Sequence, residues 1–193
     1  MTGILPGPAT VALACTCAAT SSAVPNRPAP VLAAEAQPQP KGRDITYRTT
    51  PGGLVIELEG LRLEPKAVVV NKANGWEVKF SVRAESTDHH QHRFLTSVDG
   101  PLMVAAEIER GGEKQRFRDE RKGDTETVIG AHESTTFVRE VKHAIAAGQS
   151  LTLYVGLWGL GRDAEDRKPV RKLFELKMTA GQKKPEPVLT PPE

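Results

Sequence analysis

Residues 76–83 read WEVKFSVR. Trp76, Val78, Phe80 and Val82 share one parity, and Glu77, Lys79, Ser81 and Arg83 share the other. Successive side chains of a β-strand point to opposite faces, so this octapeptide presents one apolar and one polar face only when extended. The same alternation returns along the chain. LVIELEGLRL (54–63) sets Leu54, Ile56 and Leu58 against Glu57 and Glu59. SLTLYVGLW (150–158) aligns Leu151, Leu153, Val155 and Leu157, and KLFELKM (172–178) aligns Phe174, Leu176 and Met178. Further strands are expected at 44–49, 66–71, 102–110, 113–119, 125–130 and 134–142.

Turn signals punctuate these runs: PGG (51–53), KANG (72–75), DGP (99–101), ERGGE (109–113), KGD (122–124) and AAGQ (146–149). The Gly-Gly pair of ERGGEKQRF allows the positive backbone angles of a tight hairpin. Only HAIAAG (143–148) hints at a helical turn, and no internal repeat is visible. About 8–10 short strands with this patterning define an all-β, antiparallel sandwich. Trp76 and Trp158 each lie in a strongly patterned run and are expected in or near its core.

The 193 residues carry a net charge of +2, with acidic and basic residues interleaved. RFRDERKGD (116–124) is representative. Nucleic-acid binders concentrate one sign in a stripe, so that partner class is set aside. The patterning changes near residue 42. Residues 1–40 contain only Arg27 and Glu35 as charges, no aromatic residue, and seven of the fifteen prolines. A second change falls near Gly181, where the Pro-rich QKKPEPVLTPPE begins. The expected organisation is a leader (1–23), an Ala/Pro-rich linker (24–42), a sandwich (43–180) and an unstructured tail (181–193).

Within the leader, ATVALACTCAATSSA (9–23) has the short apolar and small-residue character of a secretory h-region, below the span of about 20 residues that crosses a membrane. AEAQ (34–37) offers a small-residue cleavage site after Ala36. ALAC (12–15) resembles a bacterial lipoprotein lipobox, which implies lipidation of Cys15. Ala12 stands where that pattern usually has leucine. Both cysteines, Cys15 and Cys17, lie in this leader, so no disulfide or cysteine nucleophile is expected in the body. With its strand pattern and leader, the chain resembles the immunoglobulin-like β-sandwiches of bacterial envelope proteins over about residues 42–180. The resemblance implies export to the periplasm, cell envelope or outside, and a lipid anchor as the sole membrane contact. It implies no activity, and the Cys–Trp–Cys arrangement of antibody domains is absent.

Chemistry concentrates in STDHHQH (86–92), which holds three of the five histidines. In an extended segment His90 and His92 share a face, and imidazole nitrogens converging on one ion suit zinc or copper. His89 and Asp88 would assist, with His132, Glu133 or His143 as more distant ligands. The alternative is a solvated loop over residues 86–101. GLWGLG (156–161) is spaced G-x-x-G-x-G and lacks the strand–helix setting of a nucleotide loop, so it is expected to end a strand in a turn. His132, Glu133 and Ser134 are adjacent, and neighbours on a strand face opposite ways, which makes a poor catalytic relay. No other catalytic motif is present. The expectation is a non-catalytic, cofactor-free module that binds a protein or surface component through loops or an edge strand. The second expectation is a periplasmic metal binder using residues 88–92.

Overall fold

The computed structural model describes residues 43–181 and 183–193. The leader, the linker and Cys15 lie outside the described residues. Among the described residues there are twelve strands and no helix. In chain order they are β1 (Ile45–Thr50), β2 (Gly53–Leu58), β3 (Leu61–Lys72), β4 (Gly75–Ser86), β5 (His92–Thr96), β6 (Leu102–Arg110), β7 (Glu113–Arg118), β8 (Thr125–Ile129), β9 (Ser134–Ile145), β10 (Ser150–Gly161), β11 (Lys168–Thr179) and β12 (Val188–Thr190).

They form two antiparallel sheets. The first has the order β1-β2-β3-β4-β9. The second centres on β10, which pairs with β11 on one side. Its other side is shared: β6 runs along Ser150–Leu157 and β5 along Gly159–Gly161. β12, β8 and β7 complete this sheet beyond β11, β5 and β6.

One core lies between the sheets. Val78, Phe80, Val82 and Ala84 supply the β4 face, and Leu151, Leu153, Val155 and Leu157 that of β10. Phe80 meets Phe174 edge to face, with ring centroids 6.1 Å apart. This is the favoured arrangement of two aromatic quadrupoles. Trp76 packs against the core from the margin.

The strand reading holds, and five local expectations are corrected. The 54–63 run is not one strand: it turns at Glu59 and Gly60, with φ of 51° and 83°. Two successive positive angles make the tight hairpin joining β2 to β3. β3 then runs through Pro65, where β4 is its partner and β2 no longer reaches. Proline is tolerated there because one side of the strand needs no amide donor. The HAIAAG turn of helix does not form, since β9 extends to Ile145.

GLWGLG is strand rather than turn. A Cβ on Gly156 would meet the Val170 carbonyl oxygen at 2.3 Å, and one on Gly161 the Arg167 nitrogen at 2.9 Å. These glycines let β11 approach the β10 backbone where their register shifts. The 86–101 stretch contains β5, in which His92, Phe94 and Thr96 are buried. Finally, the C-terminal tail is not structureless: Val188, Leu189 and Thr190 pair with Lys177, Leu176 and Glu175. Leu189 packs on the core, and Glu193 meets Lys177 at 2.9 Å. Pro187 and Pro191 flank the three paired residues, so the ladder loses no donor to them.

Candidate functional site

The histidine stretch is organised by Asp88. Its Oδ1 accepts from the His90 amide at 3.0 Å and lies 3.0 Å from His92 Nε2. Ser86 Oγ donates toward the same carboxylate at 3.3 Å, and Arg162 stands 3.4 Å from Oδ2. Gly60 makes room for this carboxylate, because a Cβ there would lie 2.2 Å from Oδ2. Partial burial pushes the Asp88 carboxyl up, but the His90 amide and the His92 ring together hold it below the ordinary value of 3.8.

His90 and His92 do not share one strand face. His92 begins β5 and is 1% exposed against Asp88, whereas His90 precedes the strand and is exposed. Strand alternation does not apply across that boundary. Among the described residues, no group of three or more His, Cys, Asp or Glu side chains is placed to hold one metal ion. His89 instead meets His132, with Nδ1 and Nε2 3.0 Å apart. His143 lies on β9, stacked on Phe117, and not with this loop.

A second feature was hidden in the sequence. β9 is an edge of the first sheet and β7 an edge of the second, and His143 of one stacks on Phe117 of the other. Between them runs an open groove of about 350 Å³, lined by Val104, Phe117, Asp119, Arg139, Val141 and His143. It continues past Phe117 and His143 toward Asn74, Ile108 and Gln149. The pairing of β9 with β4 slips between Val141 and Ile145, giving an irregularity at 142–144. Bulges re-aim side chains. Here His143 lies flat on Phe117, with centroids 4.2 Å apart and ring planes at 25°.

Arg139 closes one end of the groove. It is 13% exposed and pairs with Asp119 at 2.7 Å and Asp99 at 2.9 Å. Burial pushes the Asp119 carboxyl up, against the pull of the Val104 amide that donates to it, and pushes the Arg139 guanidinium down. The β7 wall is anchored by Glu107, which receives Lys114 at 2.7 Å and Arg116 at 2.8 Å. Those two bonds, Lys114's the larger, hold Glu107 below its ordinary value. The one sequence signal for this feature was Phe117, an aromatic residue in an otherwise polar strand.

No family model matches the chain, and no curated protein matches it. Solved structures do. One is a Northeast Structural Genomics Consortium target designated SoR45, with a TM-score of 0.41 and 7% identity over 63% of this chain and 88% of that one. Another is the putative ApaA protein from Bordetella pertussis, with a TM-score of 0.39 and 10% identity over 64% of this chain and 95% of that one. This chain is an all-β protein of two packed antiparallel sheets, with a groove along one sheet edge.

Proposed function

We propose that the protein is a non-catalytic binding module that takes an extended peptide segment of a protein partner onto the free edge of β9. The observation that carries this reading is the groove itself. A twelve-residue edge strand lies open on one side, and β7 walls it in, with the half-buried Phe117 stacked under the exposed His143 along the groove. An added strand gains main-chain hydrogen bonds from β9 and side-chain contacts from the wall. Charged side chains such as Arg139 and Lys142 are a common guard against unwanted edge pairing. Arg139 is tied up at the Asp99 end, so the His143 end stays open. In this reading the sandwich is immunoglobulin-like, exported, and held at the bacterial cell envelope through its leader.

The test pans a displayed library of random twelve-residue peptides on the full-length protein. Enriched peptides should alternate apolar and polar residues, protect β9 amides from hydrogen exchange, and lose binding on Phe117→Ala. Failure to enrich any peptide, or binders indifferent to Phe117 and silent at β9, would sink the proposal.

A further inference from the structure

The His89–His132 pair is independent of the groove. The two residues are 43 positions apart, yet Nδ1 of one and Nε2 of the other are 3.0 Å apart, with ring planes at 84°. Both backbones are fixed. His89 follows Asp88, whose carboxylate is held by Ser86, His90 and His92. His132 sits at φ 59° in a turn closed by the Glu133 amide on the Gly130 carbonyl at 3.1 Å. Glu133 Oε2 accepts from the Gly130 amide at 2.9 Å, bracing that turn again. The Ser86 amide donates to the Glu133 carbonyl at 2.9 Å, which ties the two loops together. A left-handed backbone is uncommon outside glycine and carries a cost, although histidine is among the residues that tolerate it. Here it aims the imidazole at His89.

We propose that His89 Nδ1 and His132 Nε2 form a two-histidine site for a divalent copper ion, with water in the remaining positions. Metal–nitrogen bonds of about 2.0–2.1 Å from two nitrogens at this separation subtend an angle of roughly 90–95°. That is the cis angle of a tetragonal centre, the geometry Cu²⁺ prefers, and Cu²⁺ is the tightest-binding of the first-row divalent ions. A tetrahedral zinc site would need the nitrogens about 0.3 Å further apart. Without metal, one neutral ring donates its N–H to the other. The outer torsion of histidine is broad, so a modest rotation turns both lone pairs onto one ion. This pair differs from the expected set in using neither His90 nor His92.

The experiment titrates the full-length protein with Cu²⁺ at about pH 7.5, above the ordinary histidine range. Calorimetry gives stoichiometry and affinity, and electron paramagnetic resonance counts the coordinated nitrogens. One ion per chain with two imidazole nitrogens is expected. Losing a group that merely supports a metal ligand costs about 10–100-fold in affinity, so losing a ligand should cost at least about tenfold. His89→Ala and His132→Asn are the variants, the second chosen because asparagine tolerates the left-handed backbone. Their metal-free melting curves should match the parent's. His90→Ala should leave the copper signal unchanged. Absence of stoichiometric binding, a signal that survives either substitution, or one abolished by His90→Ala overturns the assignment.

Discussion

His92 places Nε2 3.0 Å from Asp88 Oδ1 while its ring is almost wholly buried. This contact turns a candidate ligand into a structural pin at the mouth of β5. Asp88 is held below its ordinary value, the case of a depressed acid. Such a group stabilises the fold at pH above its unfolded value and loses that contribution as pH falls through the folded one. The parent should therefore melt above Asp88→Asn at about pH 5, and the margin should close as pH falls below about 4. Paired melting curves across that range provide the check. A margin independent of pH would remove the carboxylate from the explanation.

Phe80 of the first sheet meets Phe174 of the second edge to face. Phe80→Ala should cost about 3–5 kcal/mol, combining lost transfer energy with the cavity left behind. That is a large part of the roughly 5–15 kcal/mol available to a domain. Urea denaturation should show a lower midpoint with an unchanged slope. A cost under about 1 kcal/mol would mean that the sheets do not share this core.

Gly156 is required by contact rather than by backbone angle. A methyl group there would press on the Val170 carbonyl at 2.3 Å and the Arg171 carbonyl at 2.8 Å. Gly156→Ala should destabilise by about 1–3 kcal/mol, as overpacking does elsewhere. The tip glycine Gly111 meets nothing within 4 Å, but its φ of 58° makes it a backbone control with strain and no clash. Stability measurements on both substitutions separate the two effects. A cost at Gly156 no larger than at Gly111 would argue against the close approach of β11.

The C-terminal strand covers the outer edge of β11. Removing residues 187–193 should lower the melting temperature, through the loss of Leu189 packing and the Lys177–Glu193 pair. The loss should stay below the 2–5 kcal/mol of a fully buried leucine, because Leu189 is only partly buried. Truncation should also raise the aggregation rate, since an uncovered edge is a pairing template. Light scattering on heating reads the second effect independently of the first.

The sandwich was legible wherever alternation was long. WEVKFSVR, SLTLYVGLW and KLFELKM each carry enough repeats for period two to stand out. β5 was not legible, because its buried face begins with His92 and ends with Thr96, two polar residues held by partners distant in sequence or by a local carboxylate. β12 was masked by prolines that flank its three paired residues. The glycines of GLWGLG suit a turn and a close backbone approach equally, and only a neighbouring strand decides between them. The same holds for the histidines. Spacing alone favoured His90 with His92, whereas the partner of His89 lies on another loop. The groove was invisible for the same reason, being made by two edges that only tertiary structure brings side by side.

The central place of β10 has a consequence for synthesis. The β1–β4 meander can form as soon as Ser86 has been made. In the second sheet, β6 finds only its hairpin partner β7, and β5 only β8 across that hairpin, until residues 150–161 arrive. Contacts across such sequence separations close slowly, because the loop must be ordered before it is rewarded. Chains emerge at about 5–20 residues per second, so a ribosome holds the half-built sheet for several seconds with its apolar face uncovered. The strand that unites the sheet is thus also the one whose late arrival sets how long the nascent chain is exposed to misassembly.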